Sequence, residues 1–231
     1  MIFQDPSSAL NPVFTIGDQF LTALRYTYDT KVNKKVLWQQ ALDALTSVSL
    51  PDPERIMENY PFQLSGGMRQ RVCIAMTIAA GRQILLADEP GTALDVTIQD
   101  QILRLINRLV EEKGLSVVMV SHSLGVIRES TSYVNIMYAG TIVESGVTET
   151  VFHHPKHPYT KALMACIPKL TGEGIAEGIP GRIPDYLNPP SGCRFCPRCP
   201  LAKDVCRQQK PPKTEVDPGH WVRCFCAGEV E

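Results

Sequence analysis

The chain has 231 residues, enough for one large or two small domains with a real core. Hydrophobic residues make up 44% and charged residues 20%, and no apolar run approaches the length needed to cross a bilayer. A net charge of -1 argues against a broad electrostatic footprint for nucleic acid. The opening, Met1-Ile2-Phe3-Gln4-Asp5-Pro6, lacks the basic and then apolar stretches of a signal peptide, so a cytoplasmic compartment is expected, with membrane association only through a partner. Eight cysteines without an export signal point to a metal or a cluster before disulfides.

Residues 12–60 read as mostly helical, with Ile16, Phe20, Leu21 and Leu24 on one stripe. A second stripe carries Val36, Leu37, Leu45 and Val48 and is broken by Pro51 and Pro53. Next comes Leu64-Ser65-Gly66-Gly67-Met68-Arg69-Gln70-Arg71-Val72. A serine and two glycines open a helix whose Met68, Val72, Ala75, Met76 and Ala79 share a face. Ser65 can cap it, and the glycines leave its first amides approachable, which makes an anion site suited to phosphate. Taken alone, the stretch reads first as an ordinary serine-capped helix with a flexible entry.

Ile84 to Ala87 is a short apolar run, expected to be a strand covered on both faces, and it ends in Asp88-Glu89-Pro90. Val96 to Glu112 reads as a helix with Ile98, Ile102, Leu105, Ile106 and Leu109 inward. A strand over Ser116–Val120 follows, then a helix from Leu124. Tyr133–Met137 and Thr141–Val143 suggest a hairpin through Ala139-Gly140. Strand–helix alternation predicts a mostly parallel α/β sheet. Thr148–Phe152 and Tyr159–Cys166 are closing helices, with Pro158 suited to a first helical position. His153, His154 and His157 sit in a stiff, proline-flanked joint, a better structural element than a metal site. Residues 171–190, rich in Gly and Pro, read as a loop leading into the tail.

Cys193, Cys196, Cys199, Cys206, Cys224 and Cys226 crowd that tail. The first three stand three residues apart, close to the spacing that wraps iron–sulfur clusters, and four thiolates would equally suit structural zinc. Reduced thiols in a disordered tail are the bland alternative, weakened because a Pro- and Gly-rich segment of this size needs a cross-link to order itself. Cys73 and Cys166 fall on apolar helical faces and read as small core residues.

In this order the motifs resemble the ATP-binding subunit of an ABC transporter. LSGGM resembles the family signature, ILLADEP its Walker B strand, Thr92-Ala93-Leu94-Asp95 the D-loop, Ser121-His122 the H-loop switch, and Phe3-Gln4-Asp5-Pro6 the Q-loop. The resemblance implies an α/β, P-loop NTPase-like fold, incomplete at its N-terminus, with a helical subdomain and a cysteine-rich tail. No G-x-x-x-x-G-K-[ST] phosphate loop occurs in the 231 residues. Met1 is therefore an internal methionine of a longer frame, a fragment boundary or a true start. Three segments are expected: 1–80 with the Q-loop, helical subdomain and signature helix; 81–155 with the remaining ATPase core; and 156–231 as a C-terminal extension.

The resemblance also implies roles. Asp88 would hold Mg²⁺, usually through water, and Glu89 would polarise the water that attacks ATP. His122 would contact the terminal phosphate and close the site around Glu89. Gln4 would reach the metal or the water and report on the membrane partner, and Asp95 would organise a dimer contact. Ser65, Gly66 and Gly67 would complete a partner subunit's nucleotide site. Gly91 stands where the family usually has threonine or serine. HPYT-x-AL and the tail resemble ATPases of the oligopeptide, dipeptide and nickel importer subgroup, whose cysteines match Cys193, Cys199, Cys206 and Cys224. Those four are the implied ligands of a [4Fe-4S] cluster, with zinc as the alternative and Cys196 and Cys226 as spare ligands.

The expected function is that of the ATPase subunit of a di- or oligopeptide ABC importer, peripheral at the cytoplasmic face of the cell membrane. Its implied partners are a second ATPase subunit, two transmembrane permeases and an external solute-binding protein. Without a phosphate loop the chain alone is expected to be inactive, because the lysine and amide cradle is absent. Two competing readings are a non-hydrolytic chain that lends its signature to another ATPase, and a metal- or redox-responsive binding module.

Overall fold

Ile16, Phe20, Leu21 and Leu24 recur at helical spacing. In the computed structural model, which describes residues 1–27, 32–92, 94–167 and 178–229, they form the buried stripe of one helix. The chain divides into two units, Met1–His122 and Ser123–Glu231.

The first unit opens with a single-turn helix, α1 (Pro6–Ala9), where the Asp5 side chain accepts from the Ser7 N–H at 2.8 Å. Helices α2 (Ile16–Thr27), α3 (Lys34–Ser47) and α4 (Pro53–Glu58) build a helical lobe. Asn33 caps α3, and Leu37, Ala41, Ala44 and Leu45 face inward. Val36, expected beside Leu37 on the buried stripe, is instead 56% exposed. Leu37, Ala41, Ala44 and Leu45 define one arc around the helix axis, and Val36, about 100° before Leu37, falls beyond the edge of that arc. Pro53 starts a helix rather than breaking one, because its missing N–H costs nothing in the first turn.

Helix α5 (Gly66–Ala79) is the signature helix and the centre of the unit's core. Val72, Cys73, Ile74, Ala75 and Ala79 are buried, with Met68 and Met76 packed against the same cluster. Burial pushes the Cys73 thiol up to about 12, so it behaves as a small apolar side chain. Strand β1 (Ile84–Asp88), helix α6 (Val96–Lys113) and strand β2 (Ser116–Val120) complete the unit. β1 pairs in parallel with β2, from Ile84 opposite Ser116 to Asp88 opposite Val120. Ile2 forms a parallel bridge to Ala87, with its N–H donating to Leu86 O at 2.7 Å. Leu85 and Ala87 are buried, but Ile84, Leu86, Val118 and Val120 are exposed. β1 was expected to be covered on both faces. One face alone is covered, because successive side chains alternate and the helices of this unit cover only the side of Leu85 and Ala87.

The second unit begins with α7 (Leu124–Ser130) and the hairpin of β3 (Tyr133–Tyr138) and β4 (Thr141–Val147). Ala139 and Gly140 both take positive φ, 46° and 77°, as a twist-matched two-residue hairpin turn requires. After α8 (Thr148–His153), α9 (Pro158–Ala165) and α10 (Asp204–Gln208), the tail adds β5 (Thr214–Asp217) and β6 (His220–Val222). These tail strands join the hairpin in an antiparallel sheet of order β3-β4-β6-β5. The expectation of a mostly parallel sheet is therefore corrected: among the described residues the parallel part is the β1–β2 pair with the Ile2 bridge to β1, and the hairpin belongs to an antiparallel sheet. Pro158 occupies the first turn of α9 as expected. Cys166 is the half-buried residue that ends α9 rather than part of an apolar face. Of the predicted loop, residues 171–177 lie outside the described residues, and 178–190 carry no regular structure.

Core position should decide the cost of truncation. Ile74 is fully buried in the first unit, whereas Val96 is 82% exposed. Ile74→Ala is expected to lower unfolding stability by about 2–4 kcal/mol, and Val96→Ala by less than about 0.5 kcal/mol, read from urea denaturation midpoints at matched m-values.

Candidate functional site

β1 ends at Asp88, and the next residue, Glu89, turns the chain with φ of 45°. A non-glycine residue in that left-handed region costs on the order of 1–3 kcal/mol and persists where its surroundings over-determine it. Here the Glu89 N–H donates to Val120 O at 2.8 Å, anchoring the turn to the end of β2. The side chain is then held at three points. Gln4 Nε2 donates to Oε2 at 2.8 Å, Thr92 Oγ1 donates to Oε2 at 2.9 Å, and His122 Nδ1 lies 2.8 Å from Oε1.

Hydrogen bonds from His122 and Thr92, with a smaller contribution from Gln4, hold the Glu89 carboxyl below the usual carboxylate range. A carboxylate offers roughly four acceptor sites, so with Nδ1 donating, about one remains, on Oε1. The arrangement can orient one water and accept its proton. Gln4, Glu89 and His122, three of the four predicted catalytic residues, are thus brought together across 118 residues of chain. Asp88 is half-buried at the carboxyl end of β1, directly before this group. The role of Thr92 was not foreseen; a hydroxyl three residues after a carboxylate in a turn was the available signal, and the Thr92 N–H also donates to Glu89 O at 3.2 Å.

Asp95 stands apart from that cluster. It is exposed and caps α6, its Oδ1 accepting from the Ile98 N–H at 3.0 Å. Ser65 caps α5, accepting from the Met68 N–H at 3.3 Å, and it too is exposed, with Gly66 and Gly67 half-buried beside it. The glycines have a packing reason that motif reading missed. A Cβ on Gly67 would sit 2.8 Å from Ile98 Cγ2, and one on Gly66 would sit 3.3 Å from Leu94 Cδ2. The signature helix therefore lies directly on the start of α6. Buried Gln70 adds a second link, its Nε2 donating to Pro90 O at 2.7 Å, one residue beyond Glu89. Gly91 also has a packing reason: a Cβ there would meet Gln99 Cγ at 2.5 Å.

In the second unit, Cys193, Cys196, Cys199, Cys206, Cys224 and Cys226 all line one apolar cavity. Backbone N–H groups aim at four of the sulfurs: those of Phe195 and Cys196 at Cys193, that of Leu201 at Cys199, that of Lys203 at Cys206 (3.5 Å), and that of Cys226 at Cys224 (3.2 Å). The Cys226 thiol is turned toward Leu201 O, to which it donates at 3.3 Å. Burial raises the thiols of Cys193, Cys196, Cys199 and Cys224, that of Cys224 to about 12. Among the described residues, no three His, Cys, Asp or Glu side chains as they stand converge closely enough to hold an ion. Beside the cavity, Glu144 accepts from the N–H groups of Lys156 (2.7 Å) and His157 (2.9 Å) and lies 2.7 Å from His220 Nε2. That buried acid ties the joint to β6, while His153 and His154 stay exposed.

Comparison with known proteins agrees with both halves of this description. Residues 1–92 match the family model for ABC transporters, and residues 143–206 match that for the C-terminal region of oligopeptide/dipeptide transporters. A probable peptide ABC transporter ATP-binding protein of Sinorhizobium fredii is 45% identical over all of this chain and 69% of its own length. The dipeptide transport ATP-binding protein of Escherichia coli is 42% identical, covering 97% of this chain and 68% of its own. Among solved structures, a dimeric ATP-binding cassette in a post-hydrolysis state bound to ADP and Pi is 31% identical, with a TM-score of 0.55 over 64% of this chain and 61% of that one.

Two outcomes are expected from the geometry. Gly67→Ala should destabilise the protein by about 1–2 kcal/mol despite the higher helix propensity of alanine, and Ile98→Ala in the same chain should relieve most of the added strain, giving a coupling energy in a double-mutant cycle. For Glu89 the folded pKa lies below the unfolded one. Its contribution to stability is therefore complete above the ordinary glutamate pKa and lost as pH falls through the folded value. His122→Ala removes the largest cause of the shift, so the Glu89 carboxyl, followed by carbon-13 NMR, should titrate at higher pH than in the wild type.

Proposed function

Since the chain belongs to the ATP-binding proteins of ABC transporters, of the oligopeptide/dipeptide import type, we propose that it couples ATP binding and hydrolysis to uptake of di- or oligopeptides as one part of a larger assembly. The observation that carries this reading is the three-point hold on Glu89 at the end of β1. Glu89 is the general base, its free acceptor site directed to the attacking water. His122 and Gln4 fix the carboxylate before substrate arrives, so orientation is settled in advance. For His122 to donate to Glu89 through Nδ1 and to a phosphate through Nε2 at once, the ring must be an imidazolium. Asp88 is the residue suited to Mg²⁺, usually through water; the ion neutralises phosphate charge when bound.

Ser65, Gly66 and Gly67 serve a different nucleotide, that of a partner subunit. Support comes from the exposure of Ser65 and from the bare amides of the first turn of α5. Asp95, exposed at the start of α6, meets the same partner. Both regions are tied to the base, since Gln70 links α5 to Pro90 and α6 follows the Glu89 turn within seven residues. The assembly comprises a second ATPase subunit, two permeases and a solute-binding protein. The chain sits peripherally at the cytoplasmic membrane face; among its described residues no helix is long and apolar enough to cross a membrane. By function, 1–80 carries the signature and permease-facing lobe, 81–155 the hydrolytic core, and 156–231 the importer-type extension.

The tail is read as a [4Fe-4S] site on Cys193, Cys199, Cys206 and Cys224, with zinc as the alternative. The support is the donor set: the four residues share one cavity, and each sulfur accepts a backbone N–H that offsets part of the burial raising the Cys193, Cys199 and Cys224 thiols, although no three of them converge on a single ion. A cluster supplies electron transfer or a structural cross-link when bound. Cys226 is left out of the ligand set because its thiol donates to Leu201 O.

The 231-residue chain alone is expected to show no ATP turnover, for want of a phosphate loop. Fused in the same polypeptide behind a phosphate-loop segment, and joined in proteoliposomes with its permeases, its binding protein and a second ATPase subunit, it should drive dipeptide uptake. Glu89→Gln should cut ATP turnover in that assembly at least 100-fold. Glutamate-dependent turnover by the isolated chain would overturn the first expectation. Uptake untouched by Glu89→Gln but abolished by Ser65→Arg would instead favour a chain that only lends its signature to another ATPase.

A further inference from the structure

His157 is placed in a way that the chemistry of the first unit does not use. Its backbone N–H donates to Glu144, its Nδ1 accepts from the Tyr159 N–H at 3.0 Å at the start of α9, and its ring lies against Phe195 with centroids 5.9 Å apart. A ring nitrogen that accepts carries no proton in neutral imidazole, so the hydrogen resides on Nε2. Burial supports the neutral form, pushing the group down to about 4. The residue is 1% exposed, and Nε2 has no hydrogen-bond partner among the described residues. A buried N–H without an acceptor is costly and needs a reason.

The ring lines the same cavity as the six cysteines. The remaining lining side chains, Pro158, Phe195, Leu201, Pro211 and Phe225, are apolar and offer no acceptor. Sulfur is what this donor can meet there. We propose that His157 Nε2–H donates a hydrogen bond to a sulfur of the iron–sulfur group held by Cys193, Cys199, Cys206 and Cys224, and thereby raises its reduction potential. The inference rests on the cluster reading of the tail. A donor to sulfur stabilises the more negative, reduced form, so its removal makes reduction harder.

The test uses the full chain purified anaerobically, with iron and sulfide assayed and the midpoint potential read by dithionite titration with electron paramagnetic resonance. His157→Asn keeps an oxygen able to accept from the Tyr159 N–H and cap α9 but removes the Nε2 donor. His157→Phe removes both, and His154→Asn, at an exposed histidine three residues away, is the control. Equal iron and sulfide in all chains, with a more negative midpoint in both His157 variants and none in the control, is the expected result. If His157→Phe does not fold, His157→Asn decides alone. An unchanged midpoint in a fully loaded His157→Asn chain overturns the hydrogen bond while leaving the cluster standing. Wild-type chain that takes up zinc, or no metal, overturns the cluster reading and this inference with it.

Discussion

The first unit depends on how Glu89 is held. Its backbone is bent into a conformation that costs free energy, and its carboxyl collects donors from Gln4 near the start of the chain, from Thr92 in the following turn and from His122 just beyond β2. Each donor lowers the energy of the ionised form, and together they leave room for one more hydrogen bond. The strain at φ 45° is thereby converted into orientation. A carboxylate left free at the end of a strand would be solvated by many waters and would choose none of them.

The same turn joins two regions whose partners differ. Gln70 reaches from the signature helix to Pro90, and the glycines of that helix rest on Leu94 and Ile98. Packed interiors transmit displacement because they have little room to absorb it. Ser65 is thereby linked to the backbone beside Glu89 through one buried hydrogen bond and two close packing contacts. Glycine at 66 and 67 fills two needs at once, exposing amides and admitting the neighbouring helix.

Much of this was legible from residue order. Ser65 and Pro158 sit at helix starts because their side chains suit those positions, and the motifs fixed which carboxylates and which histidine to watch. What escaped has physical reasons. Val36 was misplaced because it is apolar but lies outside the arc that Leu37, Ala41, Ala44 and Leu45 turn inward, and an apolar residue at the edge of a stripe does not say which side of that edge it occupies. The tail strands were missed because Thr214–Asp217 and His220–Val222 are short, flanked by prolines and glycine, and gain their hydrogen bonds from each other and, through β6, from β4. Periodicity does not encode a dihedral angle, so the left-handed Glu89 was invisible. Nor does cysteine spacing say which sulfurs face backbone N–H groups; that division between Cys224 and Cys226 belongs to the folded tail alone.

The one-sided cover of β1 and β2 has a thermodynamic consequence. Ile84, Leu86, Val118 and Val120 leave their side chains in water, so the folded first unit forgoes the gain that burial of that face would bring. Any molecule that binds the face in the folded state and not in the unfolded chain raises the melting temperature with its own concentration, by mass action. A thermal midpoint recorded for this chain by itself is thus a lower bound, and its climb on titration measures how tightly the apolar face has been taken up.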